Sequence, residues 1–105
     1  MKLKYEFSVR EIAGDYVLVP LGEAALKLSG MITTNEVGAF LWEQLQDEIS
    51  KEELLKRLLD EFETEPGVAL NDIEEFLEQM RRLDVLEEFS EYIVFVVGVI
   101  SGSLQ

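Results

Sequence analysis

Paired carboxylates are the side chains of this sequence with the clearest capacity for chemistry. Pairs such as Glu52-Glu53 and Glu74-Glu75 could in principle hold a metal ion or act as acid and base. Neighbouring residues on a helix do not share a face, so the carboxylates of one pair diverge. The chain contains no cysteine and no histidine, which excludes the usual zinc sites, iron–sulfur clusters and catalysis by either side chain. We expect solvated helix surface, no metal or other cofactor, and no enzymatic activity.

The net charge of -13, from 22 acidic and 9 basic residues, limits the classes of partner. Affinity for phosphate comes largely from Lys and Arg, so nucleic-acid binding is not expected. The segment that would read DNA in an ordinary winged-helix protein carries Asp72, Glu74, Glu75 and Glu78. The same charge opposes binding to anionic membrane surfaces.

Membrane segments and targeting signals are also not predicted. The first ten residues, MKLKYEFSVR, lack the apolar stretch of a signal peptide. The longest apolar run, residues 92–100, is about half of the roughly 20 residues that a membrane-spanning helix needs. We therefore expect a cytoplasmic protein.

The front of the chain has the pattern of β-strands. Apolar residues alternate with polar ones over residues 3–9, and residues 16–19 are β-branched or aromatic. Gly14-Asp15 between them is a turn signal, so these two runs predict a hairpin. Residues 21–28 are ambiguous between a loop, a short strand and part of a longer third strand. That third strand is predicted at residues 30–33.

Three helices are predicted by their start signals and apolar spacing. Ser, Thr or Asn followed three residues later by Glu is a capping box, and it occurs at Thr33, Ser50 and Asn71. Pro66-Gly67 is predicted to separate the second helix from the third. Gly38 within the first helix costs about 1 kcal/mol relative to Ala, which suggests that a neighbouring group approaches closely there.

This order predicts an α+β domain of winged-helix type over residues 1–88, in which a small antiparallel sheet packs on three helices. Residues 89–105 form a separate segment, with a strongly β-prone, uncharged stretch at residues 92–100 and a flexible tail. Such a strand would be prone to aggregate if exposed. Three placements stay open: in a sheet of its own domain, swapped into a second copy of the chain, or in a groove of its own domain.

Several motifs together resemble the PqqD family. They are R-E-I-A-G-D at residues 10–15 with V-L-V-P after it, I-T-T-N-E-V-G-A-F-L-W at residues 32–42, and D-I-E-E-F-L at residues 72–77. The resemblance implies a winged-helix peptide chaperone without catalytic residues. Such a module binds the leader of a ribosomally made precursor peptide and presents it to a modifying enzyme, commonly a radical-SAM enzyme. The founding pathway makes pyrroloquinoline quinone, but Pro20-Leu21-Gly22-Glu23 departs from the proline-glutamate-glycine run of quinone-pathway members.

The resemblance also implies a site, in which the leader adds as a strand beside the third strand and lies against the third helix. The predicted strand wall comprises Gly30, Met31, Ile32 and Thr33. On the helix, the family motif points to Asp72 and Phe76. Helical spacing extends that wall to Gln79, Met80 and Leu83.

Two alternatives accompany this prediction. On spacing alone, Met31, Phe76, Met80 and Leu83 are equally typical of a hydrophobic core. The chain could also be a structural protein whose groove is filled by its own or a swapped strand, forming a homodimer through residues 92–100.

Overall fold

The computed structural model describes residues 1–88, and it confirms the α+β class. The predicted strand at residues 92–100 lies outside these residues. The strands are β1 Lys2–Leu3, β2 Phe7–Ile12, β3 Asp15–Pro20, β4 Ile32–Thr34 and β5 Leu86–Glu87. The helices are α1 Glu23–Lys27, α2 Glu36–Gln44, α3 Lys51–Glu61 and α4 Pro66–Arg82. No helix within residues 1–88 has both the length and the apolar composition of a membrane span.

The β2–β3 hairpin is present, with a two-residue turn. Ile12 pairs with Asp15, so Ala13 and Gly14 form the loop. Their φ angles are 52° and 88°, as in the type I′ turns whose twist suits a hairpin. Glycine adopts this conformation readily, whereas alanine at Ala13 is strained there.

Ala13→Asn is expected to stabilise the domain by about 0.5–1 kcal/mol, because Asn-Gly is a strongly preferred type I′ sequence. Urea denaturation would measure the change. Gly14→Ala is the matched opposite change, since it places a second Cβ at positive φ, and it should destabilise the domain. Equal stability of the two variants would contradict the turn assignment.

The first predicted strand, residues 3–9, is not one continuous strand, because β1 and β2 are separate. Leu3 donates its backbone N–H to the Leu45 carbonyl at 2.9 Å, and Lys4 donates to Val85 at 2.8 Å. These bonds hold β1 against β5 and the end of α2, and the sheet strand β2 begins only at Phe7. Two short antiparallel sheets result, with orders β1-β5 and β2-β3-β4.

The ambiguous stretch before β4 contains a helix, α1, which none of the three predicted alternatives included. Ala24 is completely buried, and Lys27 donates a hydrogen bond of 3.0 Å to the Tyr5 hydroxyl. Short helices such as this one are held by packing more than by propensity. The third strand is also shifted: β4 spans Ile32–Thr34, and the predicted positions Gly30 and Met31 precede it.

Of the three predicted helix starts, the one at Ser50 is confirmed. Ser50 accepts a hydrogen bond of 3.1 Å from the Glu53 N–H and caps α3. The start predicted at Thr33 is wrong, because Asn35 caps α2 instead. The start predicted at Asn71 is also wrong, since α4 begins at Pro66. Proline suits the first helical position, where its missing N–H is not needed.

The core lies between the sheets and helices α2, α3 and α4, which pack against one another. Leu18 of β3 and Leu41, Leu58 and Leu77 of these helices are completely buried. Burial of each such side chain contributes about 1.5–3 kcal/mol. The helices are therefore fixed relative to the sheet by a shared apolar interior.

Arg81 ties the end of the described chain to α4. Its Nε and Nη2 donate hydrogen bonds to the two Glu88 carboxylate oxygens at 2.9 and 2.7 Å. Such bidentate pairs are among the better-defined ion pairs. The hydrogen bond from Arg81 lowers the pKa of Glu88.

Candidate functional site

A cleft of about 110 Å³ separates the β4–α2 junction from the middle of α4. Its lining residues come from the end of β4, the first turn of α2 and one face of α4. They are Thr34, Asn35, Val37, Gly38, Asp72, Glu75, Phe76 and Gln79.

On the α2 side of the cleft, Thr34 lies very close to Gly38. Asn35 accepts a hydrogen bond of 2.8 Å from the Gly38 N–H, which satisfies an end group of the helix. A Cβ added at Gly38 would lie 1.7 Å from Thr34 Oγ1 and 3.0 Å from Thr34 Cβ. Glycine therefore allows the end of β4 to lie directly against the first turn of α2, which accounts for a costly residue inside a helix.

The α4 side is a single helical face. Asp72, Phe76 and Gln79 follow the i, i+4, i+7 spacing that places side chains one above another. Phe76 is 5 % exposed and belongs to the core cluster, while Asp72 and Gln79 are half-buried. Three of the five predicted helix residues thus line the cleft.

The other two predicted helix residues lie elsewhere. Met80 has 0 % exposure and packs in the core, so its expected position on the groove surface is not found. Leu83 is half-buried and packs against the same core. The physical reason is the helical period: Met80 lies about 100° around the helix from Gln79, on the side shared with Ile73 and Leu77.

The predicted strand wall is divided between β4, which contains Ile32 and Thr33, and the residues that precede it. Met31 is 65 % exposed and, like Gly30, does not line the cleft. Ile32 is buried, and Thr33 is exposed on β4. Thr34 and Asn35 line the cleft, together with Val37 and Gly38. The sequence signal for this region was the helix-internal glycine, whose neighbour could not be identified without coordinates.

A second, wider cleft of about 450 Å³ adjoins the first along α4. It is lined by Glu74, Glu75, Glu78, Gln79 and Arg82, so Glu75 and Gln79 belong to both. The surface next to the β4–α2 junction is therefore acidic over several helical turns.

Strand β4 has β3 on one side and no partner strand on the other among residues 1–88. Its register with β3 pairs Tyr16 with Thr34 and Leu18 with Ile32. Alternate residues of an edge strand direct their N–H and C=O groups outward, where an added strand can pair with them. This free edge borders the cleft, because Thr34 belongs to both.

Within residues 1–88, carboxylates are nowhere grouped in threes in a way that could hold a metal ion. Trp42 of α2 packs against the core.

Comparison with known proteins adds the family. A solved structure described as "TbiB1 in Complex with the TbiA(beta) Leader Peptide" shares the fold with a TM-score of 0.61 at 20 % identity, covering 85 % of this chain and 98 % of that one. Curated protein sequences give no significant match. Residues 15–86, well over half of the chain, match the family model described as Coenzyme PQQ synthesis protein D. The chain belongs to the PqqD family.

Proposed function

We propose that this protein is a non-catalytic module that binds the leader of a ribosomally made precursor peptide and presents it to a modifying enzyme. The observation that carries the proposal is the edge of β4 beside the α4 cleft, which has no partner strand among residues 1–88. Support comes from the structural neighbour, whose description includes a leader peptide. Family resemblance makes a radical-SAM enzyme the expected recipient of the peptide.

Binding by strand addition would use the two parts of the site differently. Backbone groups of β4 would pair with an extended peptide, which supplies affinity without demanding a particular sequence. Side chains of that peptide facing α4 would enter the cleft, where Phe76 and Val37 offer apolar contact. Selectivity would therefore come mainly from α4 and the first turn of α2.

A disulfide-capture experiment tests strand addition at β4. The chain has no cysteine, so Thr33→Cys introduces a single thiol at the exposed edge strand. Displayed random peptides of about ten residues, long enough for one strand, would be selected against the unmodified protein and resynthesised with one cysteine. We expect efficient cross-linking to Thr33→Cys.

The matched control is Arg10→Cys, an exposed position on β2, the opposite edge of the same sheet. It should cross-link poorly with the same peptides. Equal yields at both positions, or amide chemical shifts that leave residues 32–38 and 72–79 unchanged on peptide addition, would refute the proposed mode of binding.

A further inference from the structure

Resting on that proposed function, we propose that the ligand of the cleft is a cationic extended peptide, in which a Lys or Arg lies two residues from an apolar side chain. The apolar side chain would contact Phe76, and the cation would lie against Asp72 and Glu75. The argument comes from the distribution of ion pairs along α4.

Two of the four carboxylates of α4 already have cationic partners. Glu74 pairs with Lys51 of α3, and Glu78 pairs with Arg82 at 3.4 Å. Such pairs reduce the local negative charge on the helix. They also leave these carboxylates less available to a ligand.

Asp72 and Glu75 differ from them. Within the described part of the chain, neither has a cationic group within 4 Å, and Glu75 receives only a 3.3 Å hydrogen bond from the Asn71 amide. These two carboxylates also line the cleft together. The uncompensated charge of α4 is therefore placed on the surface that faces β4.

The partly buried position of Asp72 increases its attraction for a cation. Asp72 is half-buried and stands one helical turn from Phe76, which is almost completely buried. A carboxylate partly removed from water attracts a cation more strongly than an exposed one. An anionic leader would instead meet repulsion from the cleft and from a chain of net charge -13.

The spacing of the ligand follows from strand geometry. Alternate residues of a strand point to the same side, at about 6.6 Å apart. Two side chains that both face α4 are therefore separated by one residue. The expected pattern is apolar, any residue, then Lys or Arg, in either chain direction, because the direction of the added strand is not specified by the cleft.

The test uses the selected peptides of about ten residues and the full chain. We expect enrichment of this pattern over the starting library. We also expect affinity at low salt to fall at least about tenfold in the double variant Asp72→Asn/Glu75→Gln, as for loss of a hydrogen bond to a charged group. The loss should shrink at about 1 M salt, where charges are screened within about 3 Å.

A charge-matched control distinguishes direct contacts in the cleft from the effect of the protein's net negative charge. Glu52→Gln/Asp60→Asn also removes two negative charges, but from exposed positions on α3 that do not line the cleft. At the same salt concentration it should change affinity much less than the cleft variant does, because neither Glu52 nor Asp60 lines the cleft. Thermal unfolding followed by circular dichroism would verify that both double variants are folded.

The outcomes distinguish this inference from the proposed function. Neutral or anionic peptides that bind at β4 and α4, or equal losses in the two double variants, would overturn the charge inference and leave peptide binding standing. Peptides whose contacts map away from the cleft, or no enrichment at all, would overturn both.

Discussion

Replacing Met80 with aspartate is expected to unfold the domain. The Met80 side chain is completely buried between α4 and the rest of the core. Removing it creates a cavity, which costs about 2–5 kcal/mol for comparable truncations. The new carboxylate would also be buried without a partner, at a further cost of several kcal/mol. The sum is comparable with the total stability of about 5–15 kcal/mol that typical domains have.

Urea denaturation followed by fluorescence of Trp42, the single tryptophan of the chain, would measure this effect. Met31→Asp is the matched control, because Met31 is 65 % exposed. Its stability should stay within about 0.5 kcal/mol of the parent protein. A cooperatively folded Met80→Asp variant would show that α4 is rotated from the orientation described above. If Met80→Asp is unfolded, as expected, a loss of peptide binding in that variant reflects unfolding and not the loss of a contact with the peptide.

Gly38→Ala is expected to destabilise the domain although alanine is the better helix former. The preference for alanine contributes about 1 kcal/mol in a helix interior. The added Cβ, however, would lie 1.7 Å from Thr34 Oγ1, and overpacking of this kind typically costs about 1–3 kcal/mol. Rotation of Thr34 relieves only part of the clash, because its Cβ is also 3.0 Å away. We also expect weaker peptide binding, since Thr34 ends β4 and lines the cleft.

A double-mutant cycle tests the cause. Thr34→Ala removes Oγ1 and Cγ2, so Gly38→Ala should cost less in that background, with a coupling of at least about 1 kcal/mol. Stability would come from urea denaturation, and affinity from titration with a selected peptide. Additive effects of the two substitutions would mean that the clash with Thr34 is not what requires glycine at this position.

Local patterns in the sequence predicted much of the architecture. The β2–β3 hairpin follows from alternation on both sides of Gly14, and the α3 start follows from Ser50 and Glu53, because both signals act between near neighbours in the chain. The family resemblance rested on such local motifs and is confirmed over residues 15–86. Helix α1 was missed, since its short apolar stretch has no strong local signal and is formed by packing of Ala24.

The site shows where local patterns stop being sufficient. Helical spacing could not decide between Gln79 and Met80, which are adjacent in the chain and lie on different sides of α4. β4 begins two residues later and ends one residue later than predicted, so Met31 precedes it and Thr34 belongs to it. Both differences concern position or orientation relative to a partner element, and one residue of displacement reverses the face of a strand.

The sequence by itself determined the class of the fold, the family, the acidic character of α4 and the absence of the cysteine and histidine side chains that metal and nucleophilic sites commonly use. Only the tertiary structure decided which face of α4 is buried and that Gly38 makes room for Thr34. It also showed that, within residues 1–88, Asp72 and Glu75 have no cationic partner and lie beside an edge of β4 with no partner strand. Composition and periodicity depend on the order of residues along the chain. Burial, close approach and charge compensation depend on groups that are distant in sequence and meet only when the core forms.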